Sequence, residues 1–211
     1  MDGRPDLRND TARKILDAAD ELLAEVGLDG VSARSVATRA GVNNALVFYH
    51  FKSMRGLVER VLERYYEGQL AALEAATGAA DEPLRARLHR VVDAYLDFME
   101  AHRRFPRLVQ GLTAMGPELH DLLRGHLAPL LRWAERALAD VAPPEGPLAA
   151  RHLFITFSGV ITTWFTQGPL LAPLWGDDPE GPAALAERRA HVRWVVDALL
   201  AGLAREEPAG T

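Results

Sequence analysis

Between residues 41 and 51 the sequence reads GVNNALVFYHF. Two amides, an apolar pair and four consecutive ring side chains follow a glycine, with no acid among them. An amide such as Asn44 offers a donor and an acceptor together, the pattern that matches the major-groove edge of adenine. Ala45 and Leu46 are small or apolar and suit a thymine methyl, while Tyr49, His50 and Lys52 can reach phosphate oxygens. This is chemistry for reading a duplex, and it needs a rigid element that holds one face outward.

Charge supports the same reading. The 211 residues carry a net charge of −5, which argues against a generally basic nucleic-acid binder. Yet residues 30–58 contain no Asp or Glu, while Arg34, Arg39, Lys52 and Arg55 are all present. At the chain's average acid content about four acids are expected in that window. A cationic island inside an acidic protein is what a localised phosphate contact requires.

The elements around the island are helical by pattern. Asn9 or Asp10 can cap a first helix in which Ile15, Ala18, Ala19, Leu22, Leu23 and Val26 form one apolar stripe, stopped by Gly27. Ser32 caps a short second helix, which Gly41 ends. Asn43 caps a third over about 44–50, with Val47 and Phe51 turned inward. Ser53 opens a long fourth helix, and the pattern then predicts helices over 84–101, 105–112, 117–141 (with Pro129 inside), 148–167 and 183–204. The segment QGPLLAPLWGDDPEGP, 167–182, reads as a long loop. No strand pattern or internal repeat appears, so the fold class is all-α with roughly nine helices. The division expected is a helix-turn-helix domain over 1–55 and a ligand-binding and dimerisation domain over 56–211.

Two short helices joined by a glycine turn and packed on a preceding helix make a helix-turn-helix unit, whose later helix enters the major groove. The stretch RKILDAADELLAEVGLDGVSARSVATRAGVNNALVFYHFKSMRGLV, residues 13–58, resembles the N-terminal domain of the tetracycline-repressor (TetR) family. The resemblance implies a ligand-responsive regulator, a repressor, that binds a palindromic DNA operator as a homodimer and is released by a small hydrophobic effector. It places Asn44, Ala45, Leu46, Phe48, Tyr49 and His50 on the recognition helix and Arg34 where a DNA contact is frequent. The expected duplex contacts are thus Arg34, Asn43, Asn44, Ala45, Leu46, Phe48, Tyr49, His50, Lys52 and Arg55. Two positions depart from the family. Phe48 stands where a phosphate-binding tyrosine is usual, and Met54 where a lysine is usual, with Lys52 and Arg55 flanking it. Arg4 and Arg8 sit on a polar arm that could reach a minor groove, although a tail without a partner is the plainer expectation.

Beyond residue 58 no motif carries the resemblance. Tyr95, Phe98, Met99, Phe105, Trp133, Phe154, Phe157 and Trp164 are candidates to line an apolar pocket, with Ser158 and Thr162 as polar groups on otherwise apolar helices. For each, plain core packing or a hydroxyl bonded back to its own helix is the competing reading. The helices over 148–167 and 183–204 are expected to form the subunit interface. No cofactor is expected.

Other classes fare poorly. There is no G-x-S-x-G, Walker, H-E-x-x-H or dinucleotide motif, so an enzyme is not expected. With no cysteine, thiolate metal sites are excluded. His120 and His126 lie six apart, which does not place them on one helical face; with Glu118 or His102 they make only a weak metal reading. No apolar run reaches membrane-spanning length and the N-terminus lacks a secretory pattern, which suits a cytoplasmic protein. The alternative from another class is a helical small-molecule binder whose head no longer reads DNA, given Phe48 and Met54.

Overall fold

The structure, a computed structural model, describes residues 9–78, 82–114, 116–140 and 142–206, with the backbone alone for 118 and 202–206. Arg4 and Arg8, and the side chain of Glu118, lie outside the described residues. Among the described residues every regular element is an α-helix: α1 Asp10–Val26, α2 Ala33–Ala40, α3 Asn44–Phe51, α4 Met54–Thr77, α5 Leu84–Ala101, α6 Phe105–Ala114, α7 Pro117–Ala137, α8 Ala150–Trp175 and α9 Pro182–Glu206. The chain forms two compact units. One lies within Met1–Gly68 and Arg107–Ala128, the other within Gln69–Pro106 and Pro129–Thr211.

In the first unit the sequence signals act locally. The Asn9 side chain accepts from the Thr11 N–H at 2.9 Å and so starts α1, whose stripe of Ile15, Leu16, Ala19 and Leu23 is fully buried. Ser32 and Ser35 cap each other's backbone at the start of α2. Gly41, at φ +66°, ends α2 in a left-handed conformation that costs a glycine nothing. Helices α1, α2 and α3 pack on one another. The fourth helix is tied to α1 by a polar clasp: Arg64 bonds Asp17 at 2.6 Å and Asp20 at 2.8 Å, and the Tyr65 hydroxyl bonds Asp20 at 2.6 Å. Burial, followed by the neighbouring Asp20 carboxylate, pushes the Tyr65 hydroxyl well above the usual phenol range, so it stays a donor.

The two histidines of the weak metal reading have other neighbours here. One ring nitrogen of His120 meets the Thr113 carbonyl oxygen at 3.0 Å, and His126 stacks on Tyr66 with ring centroids 5.4 Å apart. Among the described residues no group of three potential ligands is placed to hold a metal ion.

In the second unit α5 packs against α8 and α9. Ion pairs stitch α5 to α9: Arg189 reaches Asp97 at 2.6 Å and Glu100 at 2.8 Å, and Arg85 reaches Asp197 at 2.7 Å. One expectation is corrected. The stretch read as a loop over 167–182 is helical as far as Trp175, and only 176–181 is not. Prolines at 169 and 173 lie four apart, so the missing N–H of Pro173 faces the carbonyl of Pro169 and both losses fall on one side of the helix. Tertiary contacts on the other side hold the turn. Pro179 packs on Gly168, where an added Cβ would come within 3.2 Å, and the Trp164 indole N–H donates to the Pro179 carbonyl at 3.0 Å. Propensity is overridden by packing that single-sequence pattern does not show. Pro129 likewise sits inside α7 without ending it.

Among the described residues no helix is long and apolar enough to cross a membrane.

Candidate functional site

Helix α3 is short, and its two faces do opposite things. Val47 and Phe51 are fully buried and fix the helix against its neighbours. Burying side chains of this size contributes about 1.5–3 kcal/mol each. What remains points outward: Asn44, Ala45, Phe48 and Tyr49 are exposed, with Tyr49 at 69%. Asn43 spends its side-chain oxygen on the cap, accepting from the Ala45 N–H at 2.9 Å, so Asn44 holds the amide free to meet a base edge. Leu46 and His50 are half-buried. The His50 ring stands edge-on to Tyr49, with centroids 5.0 Å apart.

The exit from α3 is a sharp turn. Lys52 takes φ +66°, the one positive φ outside glycine among the described residues. Its ammonium folds back to the Tyr49 carbonyl at 2.9 Å and lies 5.7 Å from the centre of the Tyr49 ring. Cation and phenol are thereby presented as one unit. Gly56, in the first turn of α4, lets that helix pass close under α3. An added Cβ there would lie 2.4 Å from the Phe51 carbonyl oxygen, a backbone atom that cannot step aside. Met54, where the family usually has a lysine, is half-buried at the start of α4.

The cations of the island divide into two kinds. Arg39 is held by Glu21 and Glu25 on α1, at 3.1 and 2.8 Å. Its hydrogen bonds to Glu25 and then Glu21 raise its pKa further, so its charge is answered inside the unit. Arg34, Lys52 and Arg55 are exposed and pair with no carboxylate among the described residues. These three, with Tyr49 and Asn44, make a surface of donors that no carboxylate answers.

The second unit contains a cavity with about 110 Å³ in which the centre of a water molecule can move. Five of the ten residues proposed from sequence lie on its wall: Tyr95, Trp133, Phe154, Phe157 and Ser158. Phe98, Met99, Phe105, Thr162 and Trp164 are not on this wall. Phe98 lies against His102, and Met99 and Phe105 are buried. The Thr162 hydroxyl donates to its own helix at the Ser158 carbonyl, and Trp164 stacks on Trp175. Sequence reasoning missed Gln69, Thr77 and Arg87, which also line it. A signal was present: Gln69, Leu73 and Thr77 recur every four residues, so two polar groups share a stripe with a buried leucine.

The polar groups on the wall are mostly spent on one another. The Trp133 indole N–H donates to the Thr77 hydroxyl at 3.1 Å, which itself donates to the Leu73 carbonyl at 2.9 Å. Tyr95 and Ser158 hydroxyls lie 3.4 Å apart. Burial pushes the Tyr95 hydroxyl upward in pKa, against the pull of Ser158 and Gln69, and keeps it neutral.

Comparison with known proteins agrees with this arrangement. Residues 15–61 match the family model described as bacterial regulatory proteins, tetR family. The probable HTH-type transcriptional regulator YttP of Bacillus subtilis is 34% identical over 100 residues, 47% of this chain; the chain spans only 48% of that relative's length. The HTH-type transcriptional regulator BetI of Burkholderia thailandensis is 32% identical over 159 residues, covering 74% of this chain and 80% of that protein. Among solved structures, the transcriptional regulator FadR of Bacillus subtilis in complex with stearoyl-CoA superposes with a TM-score of 0.65 at 17% identity, over 84% of this chain and 95% of that one, a likeness of fold. The family is one of DNA-binding regulators rather than enzymes. The exposed amide face of α3, the helix-turn-helix that carries it and the extent of the match to BetI together place the chain in the TetR family of transcriptional regulators.

Proposed function

We propose that this regulator acts as a two-fold dimer that represses transcription from a palindromic operator and is released by a small, largely apolar effector. Residues 1–55 read the duplex, and residues 56–211 bind the effector and dimerise. The observation that carries the DNA-reading half is the outward face of α3 with its free Asn44, together with Arg34 of α2, Lys52 at the exit of α3 and Arg55 of α4, which have no carboxylate partner among the described residues. Asn44, Ala45 and Leu46 face base edges. Tyr49, His50, Lys52, Arg34 and Arg55 hold phosphates, with Lys52 and Arg55 replacing what Met54 cannot supply.

Two further observations support the rest. Ile155, Leu170 and Leu174 of α8 are exposed and fall within about 100° of one another at 3.6 residues per turn. Trp194 of α9 is exposed as well. An uncovered apolar surface of this kind suits a second copy of the chain. The apolar cavity, and the acyl-thioester bound by the FadR of similar fold, support an apolar effector.

The test is selection of duplexes from a random-sequence pool by the full chain. The expected product is a two-fold symmetric sequence with half-sites about one helical turn, or a near multiple, apart. Enrichment of no sequence would favour the second reading, a helical small-molecule binder whose head has lost its operator, for which Phe48 and Met54 are the observations in favour.

A further inference from the structure

We propose that the cavity of the second unit takes an organic anion with an otherwise apolar body, and that Arg87 is the residue that pairs with its charge. The inference deepens the effector-binding reading above and rests on it. Arg87 lines the cavity among Leu88, Val91 and Trp133, and its side chain is only 11% exposed. Its Nε is buried with no hydrogen-bond partner. The ion pair it makes, to Asp140 at 3.9 Å, is long, and Asp140 itself stands mostly in water.

A guanidinium withdrawn from water is strongly disfavoured unless it is paired and its N–H groups are satisfied. Here the one pairing is long and the Nε–H is left unanswered. Arg189, Arg85 and Arg90 of this unit each have carboxylates at short range, and Arg188, whose Nε is likewise unpartnered, donates to the Val160 carbonyl and does not line the cavity. An anion entering the cavity would supply the bidentate acceptor that the planar fork of Arg87 lacks.

The rest of the wall limits what else the ligand can carry. The Trp133 indole, the Thr77 hydroxyl and the Tyr95–Ser158 pair already bond one another. A second polar group on the ligand would therefore be buried without an answer. An acyl chain with one anionic head is the simplest molecule that satisfies both limits. Its anion can be a free carboxylate or a phosphate monoester.

The experiment is calorimetric titration of the full chain with decanoate, decan-1-ol, decyltrimethylammonium and decyl phosphate. A hydrogen-bonded charge pair predicts that an anionic ligand binds at least about tenfold tighter than the alcohol, with the cation weakest. Arg87→Met should remove that gain and leave the alcohol unchanged. Asp140→Asn, at an exposed position that tolerates change, should tighten the anion several-fold and not the alcohol; it decides the matter if Arg87→Met does not fold. An Arg87-dependent gain for decanoate alone identifies a carboxylate head, and for decyl phosphate alone a phosphate; either supports the assignment. Alcohol and both anions binding alike, or a preference that survives Arg87→Met, overturns it while leaving an apolar effector in place. Binding of none of the four removes the effector reading along with it.

Discussion

The head and the second unit handle polar groups in opposite ways. In α2 and α3 the amide, phenol and cationic groups are turned outward and most are left unspent, while the interior is Val36, Val47 and Phe51. In the second unit hydroxyls and an indole are turned toward a cavity and spent on each other, while Ile155, Leu170, Leu174 and Trp194 are turned outward. The first arrangement prepares a surface for a polar polyanion. The second leaves an apolar interior cavity and apolar side chains on its exterior. One chain can therefore hold two recognition chemistries whose demands on side chains conflict, because each is confined to its own compact unit.

The sharpest way to break this contrast is to exchange the roles of the two faces of α3. Phe51→Ala removes a buried ring and should destabilise the head by about 3–5 kcal/mol, read as loss of the head's cooperative unfolding. Tyr49→Ala removes a ring two residues away on the exposed face and should change stability by no more than about 0.5 kcal/mol. Equal effects would mean that α3 is not partitioned as described.

A smaller effect separates the two kinds of cation. Arg55→Ala should lower the salt dependence of duplex binding by about one unit of slope. Arg39→Ala should leave that slope unchanged, because Glu21 and Glu25 already answer its charge. A salt titration of both variants on one selected duplex checks this, and a slope lost with Arg39 would undo the division.

The smallest effect lies away from both surfaces. Burial of the His126 ring against Tyr66 pushes its pKa below the ordinary 6.5, against the opposing pull of Glu63, Glu59 and Glu67. The unfolded chain then binds the proton more readily than the folded one. The stabilisation from the neutral ring is complete above about pH 6.5 and is lost as the pH falls below it. Thermal unfolding followed between pH 7.5 and 5.5 should show that decline, and His126→Phe should flatten it. A decline of equal size in the variant would place its origin elsewhere.

How much of this was legible in the sequence differs between the same two regions. The head is built from local devices, namely the Asn9, Ser32 and Asn43 caps, the Gly41 turn and the acid-free window. Each acts within a few residues of itself, so spacing alone located α1 to α3. What spacing did not show is that Arg39 is bound by residues 14 and 18 positions away, and so differs from Arg34 and Arg55. In the second unit the decisive contacts are long-range. Pro179 on Gly168 keeps α8 helical through two prolines, and only the fold brings Thr77 to Trp133. Aromatic residues at helical spacing look alike in sequence. Trp133 reached the cavity wall and Trp164 went to the α8–α9 connection for reasons that lie in partners far along the chain.

In the proposed division of labour Asn44 reads bases while Lys52 holds the backbone. The direct measurement is affinity, one base pair at a time, across single-substitution variants of a duplex selected by the full chain, for the parent, Asn44→Ala and Lys52→Ala. The predicted result is that Asn44→Ala loses about 1–3 kcal/mol of discrimination at one or two positions in each half-site. Lys52→Ala should weaken every sequence by the same factor and keep the pattern of preference. An Asn44→Ala variant with the parent's base preferences intact, merely scaled down, would contradict the assignment of α3 as the reading element.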